Sequence, residues 1–136
     1  MSFILDSRLS SSSYKIIDWP LSEVRLKDNV HFPWIILIPR VSPEIIEIFQ
    51  LTDNQQEIMM NEITQLSKKM SQFFHADKMN IGTLGNIVSQ LHVHVIARFQ
   101  NDLAWPHSLW QASIPEKKYS DHNREKLIAD LREILT

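Results

Sequence analysis

Apolar side chains recur at Met59, Ile63, Leu66, Met70 and Phe73, at spacings of four, three, four and three. That pattern places them on one stripe of an α-helix of about five or six turns. Thr52 and Gln55 mark its start, since a threonine cap and a glutamine three residues on can each bond the other's backbone N–H. Ser42-Pro43-Glu44 predicts a shorter helix over 42–49, with a serine cap, proline at the first helical position and an acid at the positive end. Ser120 predicts the cap of a last helix whose stripe is Leu127, Leu131, Ile134 and Leu135. Elsewhere the period falls to two. Tyr14–Asp18 and Leu21–Lys27 read as strands, the second followed by a turn signal at Asp28-Asn29. Pro33–Pro39 is a continuous apolar run with the character of a central strand covered on both faces. Lys78–Thr83 and Gln90–Phe99 complete the set. The segments 1–13 and 101–118 lack periodicity and read as irregular. About five strands and two main helices in this order predict an α+β domain.

The last strand carries the chemistry. Alternate residues point to opposite faces, so Gln90, His92 and His94 share one face, roughly 6–7 Å apart. Leu91, Val93, Val95 and Ala97 line the other face and suit a core. Just upstream lie Gly82 and Gly85, the only glycines in the chain.

Composition narrows the field. The chain has 136 residues, 43% hydrophobic and 22% charged, as in an ordinary globular protein. No repeat or long linker divides it, so a single domain over 1–136 is expected. A formal net charge of −2 leaves no basic stripe for sequence-independent nucleic-acid binding, and no nucleic-acid partner is expected. A phosphate-bearing small molecule stays compatible, because a few local donors can hold it. With no cysteine, disulfides, thiol catalysis and cysteine-ligated metals are excluded. Met1–Ser10 lacks a signal-peptide pattern, and the longest apolar run, Phe32–Pro39, is too short to span a membrane. A cytoplasmic location without membrane association is the expectation.

Two imidazoles at i and i+2 beside a glycine-bearing loop suit one of two chemistries. A metal would need a third ligand. The first acid after His94 is Asp102, and His31, His75, His107 and His122 stand singly, so no metal is expected. Alternatively, a neutral imidazole attacks phosphorus when one nitrogen is free and the other is held in a fixed tautomer. Donors to the non-bridging oxygens are then required. The backbone from Gly85 to Ser89, the Asn86 and Ser89 side chains and the second histidine can supply them.

Gln90-Leu-His-Val-His-Val-Ile resembles the signature of the histidine triad (HIT) superfamily, in which histidines alternate with apolar residues. The apolar strand ending Ile38-Pro39-Arg40, the short helix, the long helix, Asn80 upstream and Trp105-Pro106 downstream follow the family's order. The chain is most similar to bacterial members related to diadenosine-tetraphosphate hydrolases. The resemblance implies a HIT-like fold with an antiparallel sheet, a homodimer, no cofactor, and attack on the α-phosphorus of a purine nucleotide or dinucleoside polyphosphate. By resemblance the nucleophile is His92 and the phosphate-bonding histidine is His94. Asn80 and Asn86 face the phosphate, and Asp28 or Asn29 falls near the ribose.

The chain departs from the signature at its first position, where Gln90 replaces histidine. Glutamine donates and accepts hydrogen bonds but cannot deliver a proton near neutral pH. A polyphosphate leaves without a proton and an amine does not, so phosphoanhydrides are favoured over phosphoramidates. The alternative is a nucleotide-binding or sensing module with weak or no turnover. Pro33-Trp34 replaces a glycine-histidine pair of the family; Trp34 is read as core or as a stacking surface for a base. Trp105 and Trp110, in an irregular segment, are candidates for lining a pocket. Arg98 shares the parity of the histidines, within reach of a phosphate or solvated at the strand's end.

Overall fold

A computed structural model describes residues 3–136. Met1 and Ser2, part of the N-terminal stretch read above, lie outside the described residues. Five strands form one antiparallel sheet: β1 (Ser13–Asp18), β2 (Ser22–Lys27), β3 (Trp34–Pro39), β4 (Lys78–Gly82) and β5 (Val93–Arg98), in the order β1-β2-β3-β5-β4. The helices are α1 (Ser7–Ser10), α2 (Asp53–Phe74) and α3 (Asp121–Leu135). This is the expected α+β architecture, with the Pro33–Pro39 run at the centre of the sheet.

The two main helices begin where the capping residues predict. Thr52 and Gln55 bond each other's backbone in a reciprocal box, and Ser120 accepts from the Asn123 N–H. Met59, Leu66 and Met70 of α2 and Leu131 and Leu135 of α3 are buried against Val24, Leu26, Ile35, Leu37, Val93 and Val95. Burying each such side chain contributes roughly 1.5–3 kcal/mol. One sheet face is therefore closed by helices. Among the described residues, the other carries Lys27, Trp34, Ile36, His94 and Arg98 and is covered by α1, loops and the 101–118 segment.

Three elements differ from the sequence expectation. The segment 42–49 forms no α-helix. Ser42 instead closes a turn, accepting the Ile45 N–H at 2.9 Å, and a single 3-10 turn follows at Ile48–Gln50. The β-branched Ile45, Ile46 and Ile48 are weak helix formers, and the Ile45 carbonyl accepts from Leu91 N–H at 3.3 Å. The histidine strand begins at Val93, not Gln90. Ahead of it the His92 carbonyl accepts the Thr83 hydroxyl at 2.7 Å, so this backbone pairs with loops and not with a strand. The N-terminal region, read as irregular, holds the short α1, capped by the Asp6 side chain.

Candidate functional site

Register decides which side chains surround the histidines. Ile36 pairs with His94 across β3–β5, and Gly82 pairs with His94 across β4–β5. His92 and His94 remain on one face despite the late start of β5, with ring centroids 4.9 Å apart and planes at 79°. They lie side by side. Each then acquires a different role from its neighbours.

His92 is buried, and its Nδ1 lies 2.6 Å from the Gln90 carbonyl oxygen. A carbonyl can only accept, so in the neutral ring Nδ1 carries the proton and Nε2 holds a lone pair. His94 is the converse. Its Nδ1 accepts the Trp34 indole N–H at 2.9 Å; indole only donates, so the His94 proton sits on Nε2. Burial first, then the charges of His92 and Lys27, push the His94 pKa down from 6.5 to about 3. The pair thus offers one nucleophilic nitrogen and one neutral N–H donor.

Both rings line a pocket of about 400 Å³, within the range of small-molecule sites. Trp34, Ile36 and Trp110 form apolar walls, Gly85, Asn86 and Val88 come from the loop, and Arg8, Leu9, Ser12 and Lys27 close the remaining side. Gly82 is what admits Trp110: a Cβ there would stand 2.8 Å from the indole. Trp110 in turn lies 6.0 Å from His94 between ring centroids. Gly85 adopts φ of +73°, a left-handed conformation that a side chain would strain. A larger groove of about 470 Å³ lies between Trp19, Ile58 and Leu135 on the helix-covered face. It contains no histidine, so size alone does not select the site.

Several predicted site residues lie elsewhere. Gln90 is buried with its side chain turned to the N-terminal backbone: Oε1 accepts the Asp6 N–H and Nε2 donates to the Ile4 carbonyl, both at 2.8 Å. Asn80 has the expected parity, but its Oδ1 accepts from Arg98 at 2.8 Å. Arg98 is neither at a phosphate position nor solvated; it is 1% exposed and donates to both carboxylate oxygens of Asp102 at 2.7 and 3.0 Å. Asp28 accepts the Tyr119 N–H and Asn29 the His31 N–H, and neither lines the pocket. Trp105 packs by Arg98, leaving Trp110 as the tryptophan of that segment at the histidines. Ser89 is exposed outside the lining. Trp34 is neither plain core nor only a wall, because its indole orients His94.

Among the described residues no three histidine or carboxylate side chains gather as a metal centre would require. Arg8, Leu9, Ser12 and Lys27 were not marked by the sequence. They come from the N-terminal region and β2, and only tertiary packing brings them to the motif.

The HIT domain family model matches residues 8–101. The chain is similar over its whole length to a histidine triad protein from Bradyrhizobium japonicum, with 36% identity, a TM-score of 0.94 and 100% of both chains covered. A histidine triad protein from Marinobacter aquaeolei gives 38% identity and a TM-score of 0.95, covering 99% of this chain and 97% of that one. One from Sinorhizobium meliloti gives 35% and 0.92, covering 96% of each. No curated protein matches the chain.

Proposed function

The chain belongs to the HIT domain family, and from that premise we propose that it is a nucleotide hydrolase or nucleotidyl transferase acting through a His92–nucleotidyl intermediate. Membership supports a nucleotide-binding or hydrolase-type function in general. The observation that carries the finer reading is the 2.6 Å contact of His92 Nδ1 with the Gln90 carbonyl, which leaves Nε2 as the attacking atom.

In the proposed reaction, Nε2 attacks the α-phosphorus of a nucleoside phosphoanhydride. The bond to the bridging oxygen breaks, and its electron pair leaves with the departing phosphate, polyphosphate or nucleoside polyphosphate. The Gln90 carbonyl supports the positive charge that develops on the His92 ring. His94 Nε2–H donates to a non-bridging oxygen, where charge accumulates. Water then attacks phosphorus, releasing the nucleotide and a proton and restoring His92. Gly85 and Asn86 line the phosphate end, and Leu9, Ile36, Val88 and Trp110 offer apolar surface to a purine.

Neither neighbour of the nucleophile can act as the acid. The Gln90 side chain is engaged with backbone, and His94 stays neutral far below neutral pH. This favours dinucleoside polyphosphates and related anhydrides over phosphoramidates. The same observation favours a second reading, a nucleotide-binding or sensing module with little turnover. Purified protein should hydrolyse a dinucleoside polyphosphate at least about tenfold faster than a nucleoside phosphoramidate, about 1.4 kcal/mol in the barrier. Equal rates would remove the substrate preference, and tight binding of nucleotide without turnover would select the sensing module. A homodimer in a cytoplasmic setting belongs to the proposal, β4 being an edge strand with exposed Ile81. Sedimentation tests the dimer.

A further inference from the structure

The side chain that replaces the first histidine is committed to the N-terminal segment, and that segment carries a cation to the pocket. Gln90 clamps the Asp6 N–H and the Ile4 carbonyl, much as a neighbouring strand would. Asp6 then holds Arg8 by a two-point contact, Nε to Oδ1 at 3.1 Å and Nη2 to Oδ2 at 2.9 Å. Arg8 Nη1 donates to the Ile87 carbonyl at 3.0 Å, which pins the guanidinium to the loop that supplies Gly85 and Asn86. Among the described residues, three of the five donors of the Arg8 fork are thereby engaged, and two remain.

We propose that Gln90 is a positioning residue that ties the N-terminal segment beside the pocket, so that Arg8 grips the leaving-group phosphates of a nucleoside phosphoanhydride. The assignment rests on the nucleotidyl-transfer reading above and deepens it. When the bond from phosphorus to the bridging oxygen breaks, the electron pair and the negative charge go to the departing phosphate. No proton is needed if a guanidinium stands there, since its paired N–H groups match phosphate oxygens. The side chain at position 90, which as glutamine delivers no proton, is thus used to place a fixed positive charge. Arg8 holds Asp6 ionised, its carboxyl pKa lowered from 3.8 to about 2 mainly by the hydrogen bonds between them, so the fork stays oriented across the working pH range. The Arg8 side chain is 58% exposed, which leaves it open to an incoming phosphate.

The test compares two substrates with the full chain. One is a dinucleoside tetraphosphate, whose leaving group is a nucleoside triphosphate. The other is a nucleoside 5′-(4-nitrophenyl phosphate), whose leaving group carries no phosphate. Arg8→Ala should lower kcat/KM for the tetraphosphate at least about tenfold more than for the nitrophenyl ester, the scale of a lost charged hydrogen bond, and Arg8→Lys should restore part of the difference. Gln90→Ala should reproduce the selective loss and add less than about twofold in the Arg8→Ala background, as expected for residues acting in series. Equal losses on both substrates, with wild-type activity intact, would overturn the role of Arg8. Fully additive losses would overturn the link through Gln90. Arg8 is exposed, so its variants remain informative if Gln90→Ala fails to fold. A wild type that turns over neither substrate would refute the nucleotidyl-transfer reading itself, and the assignment with it.

Discussion

At one end of β5, Arg98 meets both oxygens of Asp102 and the side chain of Asn80, while Asp102 also accepts from the Phe99, Ala104 and Trp105 N–H groups. At the other end, His92 and His94 each bind one partner through Nδ1. Both assemblies are largely buried and both lie on the same face of the sheet. The difference is in what is left over. The arginine cluster is closed on itself between Phe32 and Trp105 and fixes the course of the following loop. The histidines retain a ring nitrogen each and line a pocket large enough for a nucleotide moiety. Buried polar groups complete their bonding for stability; those with a free valence beside a cavity are the ones available for chemistry.

Variants at the two ends should therefore fail in different ways. His92→Ala should reduce turnover by at least about a thousandfold, about 4 kcal/mol in the barrier, with thermal unfolding close to wild type. A well-folded His92→Ala protein of unchanged kcat would erase the distinction. Asp102→Ala should do the opposite. Removing one partner of a buried ion pair leaves the other uncompensated and costs about 3–5 kcal/mol, read as a lower unfolding midpoint, while KM, and kcat per folded molecule, change little. Asn80 belongs with this end, contrary to its expected role at the phosphate.

Acid should also separate the two ends. The His94 pKa is depressed to about 3 in the folded protein, whereas the unfolded chain takes up that proton near 6.5. Its share of stability is full above pH 6.5 and is lost as pH falls from 6.5 towards 3, no more steeply than about 1.4 kcal/mol per unit. Burial alone would raise the Asp102 carboxyl, but Arg98 and the three backbone donors bring it from 3.8 down to about 2. Its share is full above about 3.8 and is lost lower, as pH falls towards 2. Denaturant unfolding followed against pH should show His94→Gln flattening the upper window only. A slope that survives this substitution would show that another group titrates there. The smallest effect is expected from Trp34→Phe, which removes the indole donor and frees His94 to change tautomer. It should lower kcat about fivefold, roughly 1 kcal/mol, with the fold intact; an unchanged kcat would mean that the tautomer is held by other means.

What the sequence disclosed follows the range of each interaction. Helix stripes and caps are local, and α2 and α3 begin at Thr52 and Ser120 as their patterns require. Strand alternation is local too, so the shared face of His92 and His94 was legible along with the apolar face behind it. The pocket walls depend on pairing between distant strands. Nothing near Trp34 announces that β3–β5 register sets its indole against His94, and nothing near Arg8 announces a loop 79 residues away. Asn80 illustrates the converse: parity placed it on the right face, but a neighbour on the next strand had already taken its side chain. The segment 42–49 failed for a local reason, since cap chemistry at Ser42 was outweighed by three isoleucines.

In the proposed reaction His92 carries the nucleotide during turnover. The direct test is a rapid quench without acid during reaction with a dinucleoside polyphosphate, followed by mass mapping of the protein. One nucleoside monophosphate unit is expected on the peptide containing His92, and none in His92→Ala. Turnover with the label on another residue, or sustained turnover by His92→Ala, would contradict it.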